Sequence, residues 1–328
     1  MAKTILGIDL GSDSLTLALC RNGEVKKLGE ASVPDGLVRE GRITSMQAAG
    51  ELLRTAMREN HIRASRAAVV LPNELCFLRT ISMPRMSAEQ LKINLPYEFT
   101  DYLSEEPKNY LFDYAMLGDE KTPPDENSME LMGVAAPSAA IEEYREALDK
   151  AGLTLVKAAP AECAYIALIR DVQRRGGGAA EYCILDLGYR AVRMYMYQGD
   201  RHMVTRVLEF GMKNIDDVIA EQMGVDVHLA HSYLVSNYED CQNKEFCVSA
   251  YNNIAVELAR ALNFYRFSNP DSKLADVWLC GGGAANTAMR EAIRFNLDVA
   301  VHEADELVRG GEVESWHKYV AAVGSTMD

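Results

Sequence analysis

What most limits the folds open to this chain is that it repeats itself 177 residues apart. Residues 5–19 read Ile-Leu-Gly-Ile-Asp-Leu-Gly-Ser-Asp-Ser-Leu-Thr-Leu-Ala-Leu, followed by Asn22-Gly23. Residues 182–197 read Tyr-Cys-Ile-Leu-Asp-Leu-Gly-Tyr-Arg-Ala-Val-Arg-Met-Tyr-Met-Tyr, followed by Gly199-Asp200. The shift lays Asp9-Leu10-Gly11 on Asp186-Leu187-Gly188. Each copy is an apolar strand, an Asp-x-Gly turn, a second apolar strand and a glycine turn. Each then enters a third segment, Val25–Val33 or His202–Glu209, as an antiparallel meander would. The glycine-rich stretch Arg174-Arg175-Gly176-Gly177-Gly178 between the copies suits a domain junction. The expectation is two α/β lobes, 1–175 and 179–328.

The remaining pattern fills in those lobes. Thr44–Asn60 has Met46, Ala49, Leu53 and Met57 at helical spacing, and Ala67–Leu71 reads as a buried strand ended by Pro72. Residues 83–152 are expected to form an inserted α+β subdomain. It comprises a helix-like stretch (Ser87–Leu103), strands at Tyr110–Leu117 and Met129–Ala135 around a polar turn (121–127), and a helix at Ser138–Gly152. In the second lobe, Asn214–Met223, Val248–Ser268 and Asn286–Phe295 read as helices, with strands at Asp276–Cys280 and Asp298–Val301.

Three segments carry candidate chemistry. A strand–turn–strand with Asp-x-Gly at the turn sets backbone N–H groups around a concave point beside one carboxylate, which suits phosphate oxygens and a hydrated Mg²⁺. The first such site holds Asp9, Gly11, Ser12, Asp13 and Ser14; the second holds Asp186, Gly188, Tyr189 and Arg190, with Asp9 and Asp186 as the metal-facing acids acting through water. Alone, either turn would be ordinary, since Asp and Gly are good turn formers; the duplication is what singles them out. The third segment is Leu279-Cys280-Gly281-Gly282-Gly283 before the helix at Asn286, where a ligand can approach the backbone and a helix N-terminus. Glu257 and Arg260, one turn apart, suit either the ribose and adenine of a nucleotide or a surface ion pair. Gly211 and Lys213 mark a further close approach of backbone. The pair His228/His231 with Cys241 and Cys247 lacks the spacing of a common zinc site.

Composition excludes other classes. A net charge of −14 over 328 residues is unsuited to a nucleic-acid surface, which needs clustered cations. No apolar run reaches the ~18 residues of a membrane span, so no direct membrane insertion is expected. The seven scattered cysteines suit reduced thiols and a cytoplasmic setting.

Taken together, Ile8-Asp9-Leu10-Gly11-Ser12, Leu185-Asp186-Leu187-Gly188 and Leu279-Cys280-Gly281-Gly282-Gly283 resemble the two phosphate motifs and the adenosine motif of the actin/Hsp70-like ATPase superfamily. Within it the chain resembles the PilM family of type IV pilus assembly proteins, relatives of FtsA. That likeness rests on Glu98-Phe99, Ala147-x4-Gly152-Leu153, Leu262-Asn263-Phe264-Tyr265 and Ala321-Ala322-Val323-Gly324. The resemblance implies duplicated actin-like (ribonuclease H-like) lobes closing over ATP or ADP with Mg²⁺. It also implies a place at the inner face of the cell membrane through the short cytoplasmic tail of a PilN-like membrane partner. Self-association stays open. An FtsA-like filament, a slow ATPase and a small-molecule kinase are the alternatives. No basic amphipathic helix closes the sequence, which sets it apart from an FtsA-like tether.

The sequence departs from the family pattern at Asp13, at Thr16 (a lysine in the family) and at Tyr189-Arg190. It departs again at Ala159, where the family has an acid and Glu162 is the nearest carboxylate. Hydrolysis is therefore expected to be weak or absent, with Arg190 or Arg193 as candidates to face the phosphates instead.

Overall fold

The computed structural model describes residues 4–117, 128–309 and 315–327; the polar turn expected at 121–127 falls outside them. Contacts divide the chain into two compact units. The described residues up to Leu19, with Lys27–Ala161, form one; Cys20–Lys26 and the residues from Glu162 onward form the other.

In the first unit, β1 (Thr4–Leu10) and β2 (Ser14–Arg21) flank the Asp-x-Gly turn, and β3 (Glu24–Ser32) follows. A small hairpin, β4 (Val38–Arg39) and β5 (Arg42–Ile43), leads into α1 (Met46–Glu59). The Ser45 side chain caps that helix by accepting from the Ala48 N–H. Then come β6 (Arg66–Leu71), β7 (Phe77–Pro84), α2 (Ala88–Asn94), β8 (Tyr110–Leu117), β9 (Ser128–Pro137), α3 (Ser138–Lys150) and β10 (Thr154–Pro160). The main sheet runs β10-β6-β1-β2-β3, with β6 parallel to both β1 and β10. Leu6, Ile8, Leu10, Leu15, Leu17 and Leu19 point from it into a core closed by α1 and α3. The two helices cross where Gly50 meets Lys150, since a Cβ on Gly50 would lie 2.6 Å from the Lys150 Cβ. Strand alternation puts Asp9 and Thr16 on the opposite face.

A second, three-stranded sheet in this unit has the order β7-β9-β8. Its own core gathers Ile81, Leu91, Leu95, Phe99, Tyr110 and Leu131, with Phe99 fully buried over Gly133. This small sheet begins at Phe77, ahead of the expected start at 83, and α3 contributes to the core of the larger sheet. The helix expected over Ser87–Leu103 is shorter. A capping box between Ser87 and Gln90 starts α2, and the α-helix gives way to a 3₁₀ turn at Leu95–Phe99. Pro96 has no N–H to offer the Lys92 carbonyl, which ends the regular ladder.

The second unit starts with α4 (Ala161–Arg174) and continues through β11 (Glu181–Leu187), β12 (Val192–Gln198) and β13 (Arg201–Leu208). Next are α5 (Met212–Met223), α6 (Val227–Ser236), α7 (Glu245–Ser268), β14 (Asp276–Cys280), α8 (Thr287–Asn296), β15 (Ala300–Glu303) and α9 (Val320–Ser325). Its sheet order, β13-β12-β11-β14-β15, matches the first unit strand for strand. One face, with Leu185, Leu187, Val192, Met194, Met196 and Leu279, buries against α5, α6, α7 and α8.

The other face carries Tyr195 and Cys280, and α4 packs there. Tyr165 lies 4.9 Å from the Tyr195 ring and 3.3 Å from the Cys280 sulfur, oxygen to sulfur. Glu162, 3% exposed, accepts a 2.7 Å hydrogen bond from the Thr205 hydroxyl, which also meets His202 at 2.9 Å. No helix among the described residues is long and apolar enough to cross a membrane.

Candidate functional site

The duplicated turns occupy matching places. Asp9 is the penultimate residue of β1 and Asp186 that of β11, each the central strand of its sheet. In the first turn, Gly11 N–H donates to the Ser14 carbonyl at 2.9 Å, and the Val33 N–H donates to the Asp13 carbonyl at 2.7 Å. Ser12 and Asp13 are half-buried and Ser14 is exposed. Two β2 positions on, Thr16 is 5% exposed and its hydroxyl has no hydrogen-bond partner.

The second turn is braced from α5. Met212 N–H donates to the Gly188 carbonyl (3.1 Å) and Lys213 N–H to the Tyr189 carbonyl (2.8 Å). A Cβ on Gly211 would sit 2.5 Å from the Tyr189 oxygen, so the close backbone approach read at Gly211 is made to this turn. Lys213 points elsewhere: its ammonium binds both oxygens of Asp217 at 2.7 Å. Tyr189 stands edge-on to His231, which meets the buried Asp216 at 2.9 Å. Arg190 is exposed at the turn tip, while Arg193 is half-buried directly across the strand pair from Asp186.

The glycine run packs against the same turn. Gly281 has φ +85°, and a Cβ there would lie 2.3 Å from Asp186 Oδ1 and 2.7 Å from the Leu187 nitrogen. At Gly283 a Cβ would strike Met212 and Leu187. Gly282 differs, since nothing lies within 4 Å of the place a Cβ would take. The run is thus locked on both sides and open in the middle, beside a carboxylate. Asn286 closes it: its Oδ1 caps α8 by accepting from Met289 N–H, and its Nδ2 donates to the Tyr251 hydroxyl at 2.8 Å.

The second unit therefore brings Asp186, Gly188, Tyr189, Gly211 and the 281–283 run together. Glu257 and Arg260 form an exposed i,i+3 ion pair on α7, with side chains 47% and 71% exposed. Glu162, the acid nearest the expected catalytic position, is buried: its carboxylate accepts from the Thr205 hydroxyl and its backbone carbonyl from the Tyr197 hydroxyl. No group of three or more His, Cys, Asp or Glu side chains among the described residues could hold a metal. A single carboxylate at a turn, as Asp186 stands beside the open Gly282, suits a magnesium ion held largely by water and phosphate, which is how Mg²⁺ is commonly bound beside nucleotides. Of the two arginines expected as candidates to face the phosphates, Arg193 is the one that the hairpin register sets opposite Asp186.

A five-stranded sheet built twice in the same strand order, each copy with an Asp-x-Gly turn off its central strand, defines the actin-like ATPase fold. Residues 7–310 match the family of type IV pilus assembly protein PilM, and the chain belongs to that family. Among solved structures it resembles a PilM–PilN type IV pilus biogenesis complex, at 22% identity and a TM-score of 0.81, over 98% of this chain and 96% of that one. It also resembles the ethanolamine utilization protein EutJ from Carboxydothermus hydrogenoformans, at 13% identity and a TM-score of 0.63, over 98% and 88%. At these identities the likeness is one of fold. No curated protein matches the sequence.

Proposed function

We propose that this protein is a nucleotide-binding scaffold of type IV pilus assembly that takes ATP or ADP with Mg²⁺ and holds the short cytoplasmic tail of a PilN-like membrane protein. The observation that carries the nucleotide part is the Asp-x-Gly turn repeated at one sheet position in both units, in a chain of the PilM family. Asp9 and Asp186 would face the hydrated metal, and the open backbone at Gly282 would lie against the ligand. Calorimetry of the intact protein with ATP and Mg²⁺ is the test, and no heat at millimolar nucleotide with folded protein overturns the reading. Hydrolysis should be slow, well below the ~10 s⁻¹ common for enzymes, because Asp13, Thr16, Ala159 and Tyr189-Arg190 depart from the family pattern and Glu162, the nearest carboxylate to Ala159, is buried against Thr205. Rapid phosphate release that disappears in D186A would overturn that part.

The tail-binding part rests on the small sheet. The strand expected at Met129–Ala135 is not an edge: β9 pairs with β7 on one side and β8 on the other, so its backbone groups are committed. β8 is an edge, with Leu111 51% exposed on its outer face. An extended peptide can add to such an edge through main-chain hydrogen bonds while alternate side chains find pockets. A fluorescent peptide copying the cytoplasmic tail of the PilN-like partner should bind better than its scrambled version. Replacing Ala115 by proline should weaken it; equal binding of both peptides overturns this reading.

A further inference from the structure

The duplication makes a specific comparison possible. The shift that lays Asp9 on Asp186 also lays Thr16 on Arg193, each seven residues past its aspartate. In the first unit that position is a buried hydroxyl on the face that carries Asp9, with no hydrogen-bond partner. In the second it is a guanidinium. We propose that Arg193 is the side chain that receives the charge of the nucleotide phosphates, a part that Thr16 leaves vacant in the first unit. The inference rests on the nucleotide-binding reading above and names the residue on which its anion recognition depends.

Three observations place the charge. Arg193 and Asp186 are direct partners in the antiparallel β11–β12 pair, so their side chains leave the same face side by side. The Arg193 Nη1 lies 3.6 Å from where a Gly188 Cβ would be, which sets the guanidinium against the turn itself. Its field also reaches Tyr195 across the same face, opposing the pull of Glu162 and Asp186 on that buried hydroxyl. Arg190, three residues earlier, stands exposed at the turn tip, and the Lys213 ammonium binds Asp217.

Electrostatics favours such a group. Asp186 already places a carboxylate at this turn, and a nucleotide polyphosphate adds more negative charge than one Mg²⁺ cancels. A guanidinium can pair with a carboxylate in the empty site and bridge to phosphate oxygens when they arrive, using different N–H groups of one planar fork.

The test is calorimetric titration of the intact protein with ATP, ADP and AMP in the presence of Mg²⁺, at two salt concentrations. Wild type is compared with R193A, R193K and R206A, with circular dichroism to establish folding. R193A should lose about 10- to 100-fold in affinity for ATP and ADP, the usual range for a charged hydrogen bond. Its AMP affinity should change little, and its ATP binding should become less sensitive to salt. R193K should fall between, and R206A, which removes a cation elsewhere on the same sheet, should match wild type. If R193A does not fold, R193K and R193Q carry the comparison. ATP binding unchanged in a folded Arg193 variant overturns the inference alone, as does an equal loss for ATP and AMP, which would mark a structural role. A wild-type protein that binds none of the three nucleotides overturns the nucleotide-binding reading with it.

Discussion

Two adjacent glycines in one loop should respond to the same substitution in opposite ways. In Gly281→Ala the added methyl would sit 2.3 Å from Asp186 Oδ1, 2.7 Å from the Leu187 nitrogen and 2.8 Å from its carbonyl oxygen. The carboxylate can swing aside, but two of these atoms are backbone of the central strand β11 and cannot. The backbone at 281, φ +85° and ψ 168°, lies in a region essentially reserved for glycine, which costs a side-chain-bearing residue about 1–3 kcal/mol. Overpacking adds about 1–3 kcal/mol. Together Gly281→Ala should destabilise the protein by about 2–6 kcal/mol, a fall in Tm of roughly 10 °C for a unit of this size. Gly282→Ala meets open space and should stay within about 0.5 kcal/mol. Differential scanning calorimetry and urea titration of both variants measure the contrast. Nucleotide titration should then show the converse, with Gly282→Ala weakening ATP binding in a stable protein. A loss of stability in Gly282→Ala as large as in Gly281→Ala would refute the steric reasoning, as would a Gly281→Ala protein as stable as wild type.

Burial holds His202 neutral, its pKa lowered from 6.5 to about 4, so the unfolded chain protonates first as pH falls. Its contribution is complete above pH 6.5 and is withdrawn as pH drops toward 4, by at most about 3 kcal/mol; urea midpoints in His202→Gln should show a shallower decline across that window. Thr205→Val removes a hydrogen bond to the buried Glu162 carboxylate and should cost about 1–3 kcal/mol, read as a lower urea midpoint, whereas the same change at exposed Thr287 should cost far less.

Much of this architecture is legible because the chain states it twice. The apolar strands around Asp9 and Asp186 announce themselves by composition, and their repetition marks two similar lobes; the five-strand order they share comes from the fold. The strand at Asp276–Cys280 is read to the residue, since four apolar positions after Asp276 end abruptly in glycine. Pairing partners are another matter. Nothing local in Met129–Ala135 tells an edge strand from a central one, because that distinction depends on β7, some fifty residues earlier in the chain. Glu162 illustrates the same limit at the site. As a carboxylate near the start of a helix it reads as available, and only the fold reveals the Thr205 hydroxyl on a strand beyond β11 that occupies it. Lys213 was legible as a cation near a turn, but its partner Asp217, one helical turn on, was equally visible and decides where it points.

The bracing of the second turn by α5 has a mechanical side. Two of the amides at that helix start are already donated to the Gly188 and Tyr189 carbonyls, so they are not offered to an incoming anion. Those bonds make the turn and the helix one rigid piece. Asp216 on α5 grips His231 on α6, and the Tyr189 ring rests edge-on against that imidazole. Turn, α5 and α6 thus close a small loop of contacts, Tyr189 to His231 to Asp216 and back along the backbone. Tyr189 and α6 are joined directly through side chains, with no strand of the sheet between them.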